Sequence, residues 1–134
     1  MELGQFDIAI TSPPYLNAID YLRGHRLTLI WFGYELDTLR QVRSDEIGAE
    51  RIGAEAAFPI TDFISKESGA TLPQRYTGWV DRYAADMLKT LCNLQRVVKP
   101  GGQIVIVVGN SLLRGARIDN AGVIVRCGSI VGLR

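Results

Sequence analysis

The chain has 134 residues, enough for one domain with a real core, and its hydrophobic fraction of 47% is ordinary for a globular protein. A net charge of +1 excludes a strongly basic nucleic-acid binder, but the balance is uneven, with −1 over residues 1–34, −4 over 35–67 and +6 over 68–134. Cys92 and Cys127 are isolated, with neither a CxxC pair nor metal spacing, so they read as small buried hydrophobes in a reducing compartment. The amino terminus lacks a signal-peptide pattern, and the longest apolar run, residues 104–108, is far short of a membrane span. A cytoplasmic protein with no membrane partner is the expectation.

Residues 6–10, Phe-Asp-Ile-Ala-Ile, read as a buried strand. The strand leaves through Thr11-Ser12-Pro13-Pro14-Tyr15. Each proline fixes its own φ and lacks an N–H, and Ser12 and Pro13, each preceding a proline, are pushed towards extended geometry. A stiff turn follows that offers carbonyl acceptors with few neighbouring donors, with the flat amphipathic ring of Tyr15 beside them. That combination suits gripping a planar group that carries –NH₂.

Residues 18–34 place Ile19, Leu22, Leu27, Ile30 and Trp31 at helical spacing, with Gly24 weakening the middle. Arg23, His25 and Arg26 form a short basic cluster there, read as an exposed helix face or, alternatively, as a phosphate contact. His25 is the only histidine, with no second ligand or nucleophile beside it, so no metal site is expected.

Residues 35–73 are acidic and the least organised part. They contain a near-repeat, Ile47-Gly48-Ala49-Glu50 and Ile52-Gly53-Ala54-Glu55, that allows a short helix over 49–57 despite its glycines. An irregular run this long inside a domain is a lid, a binding loop or disorder.

Order returns at Thr77, a candidate N-cap, followed by Val80, Tyr83, Met87, Leu91, Leu94 and Val98 at steps of three and four. Lys99-Pro100-Gly101-Gly102 stops this helix. Residues 103–108 are β-branched and read as a strand buried on both faces, ended by Gly109-Asn110-Ser111. Asp119 caps a last helix carrying Val123, Ile124, Cys127 and Ile130. The βαβα order predicts an α/β fold with parallel strands. Both polar strand ends, at Ser12–Tyr15 and Gly109–Ser111, then share the carboxyl edge of the sheet, where open α/β sheets bind ligands.

Ser12-Pro13-Pro14-Tyr15, entered from residues 6–10, resembles the (D/N/S)-P-P-Y motif of S-adenosylmethionine-dependent amino methyltransferases, and its serine looks most like the cytosine-N4 branch of the DNA methyltransferases. Residues 97–102 with 104–108 resemble the helix–strand unit that follows, with its LKPGG turn, and residues 15–26 look like the segment after the motif in bacterial DNA methylases of restriction–modification type. The resemblance covers roughly residues 5–34 and 77–133 and leaves the middle unmatched. It implies a Rossmann-like methyltransferase sheet with helices on both faces. It also implies S-adenosylmethionine as cofactor and DNA with a flipped base as partner. Ser12, Pro13, Pro14 and Tyr15 are then catalytic, Thr11 and Ser12 lie beside the cofactor, and Tyr15, Arg23 and Asn110 contact the substrate. The target is cytosine N4, or adenine N6.

Two departures qualify this expectation. The family's Phe-x-Gly-x-Gly cofactor turn is absent, as is the strand whose acidic end would bind the ribose. Residues 1–134 are therefore expected to be part of a catalytic domain, with the cofactor-binding half on the same or another chain. Two other readings stand beside this one. The first is an RNA guanine-N2 or protein glutamine methyltransferase, and the second is a non-catalytic α/β binding module.

Overall fold

The computed structural model describes residues 5–16, 21–47, 64 and 72–134. In chain order they form β1 (Phe6–Thr11), α1 (Tyr21–Trp31), α2 (Leu36–Asp45), α3 (Gln74–Val97), β2 (Val98–Ile106), β3 (Ser111–Leu113), β4 (Ala116–Ile118) and α4 (Asn120–Ile130). The architecture is mixed α/β. β1 pairs in parallel with β2, and β3 pairs antiparallel with β4.

The long helix α3 follows from its stripe. Val80, Tyr83, Met87 and Leu91 are buried, and Leu94 packs against them. Each fully buried side chain of this size contributes roughly 1.5–3 kcal/mol relative to an exposed one. Val123, Ile124 and Cys127 of α4 complete this core, as expected, whereas Ile130 is half exposed. Asp119 caps α4, its Oδ1 accepting from the Gly122 N–H at 3.1 Å. Thr77 is not the cap of α3. That helix starts earlier, after Pro73, and the Thr77 hydroxyl donates to the Gln74 carbonyl at 2.6 Å within the first turn.

β1 and β2 run in register from Ile8↔Gln103 to Thr11↔Ile106. Between the Phe6↔Val98 and Ile8↔Gln103 pairs, β2 carries extra residues, so the Lys99–Gly102 turn is a bulge inside the strand. Lys99 Nζ reaches Asp7 Oδ1 at 2.9 Å across the amino ends of the pair.

Side chains alternate across this sheet. Ile106, and beyond it Val108, pack on the core. On the opposite face Ile8, Ile10, Val105 and Val107 are 48%, 70%, 41% and 61% exposed. The expectation of a strand buried on both faces is thus corrected: the described residues cover one face of the pair only.

Two elements depart from the sequence reading. Residues 36–45, assigned to the irregular acidic stretch, form α2. It buries only Leu39 and is held by local pairs, including Arg40 Nη1 to Asp37 Oδ1 at 2.7 Å and Gln41 Nε2 to Asp45 Oδ2 at 3.1 Å. Arg82 of α3 donates to the Ser44 carbonyl at 3.0 Å, satisfying a free carbonyl of the last turn and tying α2 to α3. Arg82 Nε also lies 3.6 Å from Asp86 Oδ2, an ion pair longer than a hydrogen bond.

The second is the hairpin β3–β4, which follows the strand end at Gly109. Arg114 and Gly115 turn it with φ of 52° and 88°, both positive as a type I′ turn requires. The Arg114 guanidinium sits 5.6 Å over the Tyr76 ring. Cys92 is exposed rather than buried, on the outer side of α3, while Cys127 is buried as expected. The expected start of the first helix at residues 18–20, the short helix over 49–57 and most of the 35–73 stretch lie outside the described residues.

Candidate functional site

β1 and β2 are parallel, so both release the chain at the same edge. Thr11 and Val107 carry the ladder to its last rung, with the Val107 N–H donating to the Thr11 carbonyl at 3.0 Å. Beyond it the Ser12 hydroxyl donates to the Val107 carbonyl, also at 3.0 Å. A carbonyl can only accept, so the single hydroxyl proton of Ser12 is committed. The remaining lone-pair capacity of its oxygen can only accept. Ser12 is exposed, and its acceptor capacity is open to a ligand.

Pro13 is buried, and Pro14 and Tyr15 are half buried. Tyr15 lies across the second strand exit: a Cβ built on Gly109 would meet its ring carbons at 3.6 Å. Leu16 follows, 1% exposed, and anchors the turn in the core.

A buried relay fixes this corner. Ser111 donates its hydroxyl proton to the Leu16 carbonyl. Asn120 donates from its amide nitrogen to Ser111 Oγ at 2.7 Å and to the Gly109 carbonyl at 2.9 Å. Asn120 is fully buried, and its Oδ1 has no hydrogen-bond partner among the described residues. The relay joins the exit of β1, the exit of β2 and the start of α4. Ser111 and Asn120 were not singled out for these roles in the sequence. A polar residue directly after a helix cap, at a position the apolar pattern sends inward, was the available signal.

The structure brings Thr11, Ser12, Pro13, Pro14, Tyr15 and Asn110 to one edge. Thr11 is half buried, and Asn110 is exposed between Gly109 and Ser111. Arg23 is not part of this group. It lies on α1 and lines a groove of about 580 Å³ against α2, together with Arg26, Arg40 and Arg43. None of the edge residues lines that groove.

A methyl donor needs a place for its adenosyl and amino-acid parts. Among the described residues no strand–helix turn carries a Phe-x-Gly-x-Gly pattern. The one acid on β1, Asp7, sits at the amino end, paired with Lys99. Among the described residues this edge offers acceptor atoms and no place that fits the donor. No group of three His, Cys, Asp or Glu that could hold a metal occurs among the described residues, and no described helix is long and apolar enough to cross a membrane. The chain matches no family profile, no curated protein and no solved structure.

Proposed function

We propose that the edge at Ser12–Tyr15 and Gly109–Ser111 holds the exocyclic amine of a nucleic-acid base, cytosine N4 in preference to adenine N6, as the acceptor half of a DNA methyltransferase using S-adenosylmethionine. The observation that carries this reading is the commitment of the Ser12 proton to the Val107 carbonyl, which leaves an exposed oxygen able only to accept. An exocyclic amine is a poor nucleophile because its lone pair is delocalised into the ring. Ser12 Oγ and the Pro13 carbonyl would take its two N–H groups and favour a more pyramidal nitrogen. The contribution is positioning and electrostatic stabilisation, with no covalent intermediate on the protein. Tyr15, backed by Gly109, would stack on the base. The donor, when bound, supplies an electrophilic methyl carbon. The apolar face of the β1–β2 pair that the described residues leave exposed supports a further α/β segment, on the same or another chain, as the place where the donor is held.

The test is transfer of labelled methyl groups to DNA by the full-length protein. Ser12→Ala should lower the rate by about 10²–10³-fold, the cost of removing one such polar contact. Ser12→Asn, which keeps an acceptor oxygen, should retain much of the activity. A Ser12→Ala protein that transfers at the unmodified rate would sink the reading, as would labelling of protein or RNA but not DNA for the assignment to DNA.

A further inference from the structure

Asn120 has a placement that packing does not explain. Its side chain is 0% exposed, yet its Oδ1 accepts from nothing among the described residues. A buried acceptor without a donor lowers stability, so an apolar side chain of the same size would suit the core better. The amide nitrogen, by contrast, is fully used. It donates to the Gly109 carbonyl at 2.9 Å and to Ser111 Oγ at 2.7 Å.

These two bonds admit one arrangement of protons. A carbonyl only accepts, so the nitrogen of the amide, not its oxygen, faces Gly109. With an N–H arriving at Ser111 Oγ, the hydroxyl proton is directed away from Asn120 and goes to the Leu16 carbonyl. The relay therefore has a fixed direction, set by a carbonyl at each end.

The two ends of the relay meet Tyr15 from either side. Leu16 is the next residue in the chain, and Gly109 lies against the Tyr15 ring, where a Cβ would be 3.6 Å from two ring carbons. Asn120 itself stands on a rigid base. Asp119 caps its helix, and Val123, Ile124 and Cys127 bury the first two turns in the core.

We propose that Asn120 is the positioning residue of this edge. By holding Gly109 directly and Leu16 through Ser111, it sets the plane of the Tyr15 ring, and so the angle at which a base lies over the amine acceptors. This role rests on the reading of the edge as the holder of a base amine. The substrate touches Tyr15 and not Asn120, whose side chain has no access to solvent.

The test compares Asn120→Leu and Asn120→Asp with the parent in the full-length protein at pH 8. Leucine keeps the volume without a donor, and an ionised aspartate keeps the shape but only accepts. The first readout needs no substrate. The Gly109 Cα protons lie against the Tyr15 ring, whose ring current displaces their NMR signals. That displacement should be lost in both variants, measured well below the unfolding midpoint of each. The second readout is methyl transfer to DNA. The kcat should fall by about 10²-fold, the effect of a misplacement of about 1 Å. KM for DNA should change little, because affinity comes mainly from phosphate contacts. Ser111→Ala, which releases the Leu16 carbonyl, should lower kcat as well, and adding it to Asn120→Leu should have little further effect because the two act as one unit.

A folded Asn120→Leu protein with the parent's Gly109 signals overturns the proposal. Where neither Asn120 variant folds, Ser111→Ala decides, and unchanged Gly109 signals in that variant overturn it too. The two readings are separable. A parent that transfers no methyl group removes the reading of the edge, while lost displacement in Asn120→Leu still assigns the orientation of Tyr15 to Asn120. Ser12-dependent transfer, with Asn120→Leu running at the parent rate, retains the reading of the edge and removes the role of Asn120.

Discussion

Ser12 and Ser111 do the same chemical job at two depths. Each gives its one proton to a backbone carbonyl, Ser12 at the surface and Ser111 inside the relay with Asn120. In both cases the hydroxyl is oriented by the protein rather than by water, a preorganised arrangement. Tyr83 is the contrasting residue. It is fully buried, and its phenol has no partner among the described residues. Burial, with Cys127 nearby, raises its pKa well above 10.0, and burial pushes the Cys127 thiol from 9.0 up to about 11. Both shifts favour the protonated form in the folded state. Their contribution is therefore complete below about pH 9 and is lost as pH rises through 9 to 11 and beyond, where the unfolded chain releases its protons first. Tyr83→Phe removes an unsatisfied hydroxyl with little change of shape and should be neutral or up to about 1 kcal/mol more stable at pH 7. Urea midpoints at pH 8 and pH 10.5 should also fall less in this variant than in the parent. An equal fall would assign the alkaline loss to Cys127 alone.

At the scale of elements, α3 was legible because its apolar residues recur at helical steps over about five turns, and the β-branched run before Gly109 marked the second strand. α2 was not, because only Leu39 is buried and its support comes from polar pairs, which carry no hydrophobic period. The β3–β4 hairpin was hidden by three-residue strands and by an Arg-Gly turn in place of the usual Asn-Gly. The bulge in β2 makes the strongest demand on sequence. A Cβ on Gly102 would lie 2.6 Å from Val98 Cγ1 and 2.8 Å from the Asp7 carbonyl oxygen. The backbone of β1 cannot retreat without breaking the ladder. Gly102→Ala should cost roughly 1–3 kcal/mol, the usual penalty for overpacking, read as a lower denaturant midpoint with unchanged slope. Gly24→Ala is the control, since a methyl group there meets nothing within 4 Å.

For the whole molecule, the juxtaposition of the two strand ends was the part most fully readable, since parallel strands joined by a helix must finish on one edge. The sheet face that the described residues leave exposed was not readable, because an unbroken apolar run looks the same whether one layer or two cover it. Ile8, Ile10, Val105 and Val107 form that face, and the chain by itself should bind an apolar dye and associate as concentration rises. Ile10→Lys with Val105→Thr should reduce both; dye fluorescence and sedimentation unchanged by the pair would show that the face is not the source. The relay behind Ser12 carries one further consequence, for the order in which the molecule comes together. The Ser12–Val107 and Ser111–Leu16 bonds each join residues 95 positions apart. Contacts of that span form only after the long intervening loop has closed, and its entropy must be offset first by local elements such as α3. The edge is therefore a product of complete folding: a chain still emerging from synthesis, or one that has released β1, has no partial version of it.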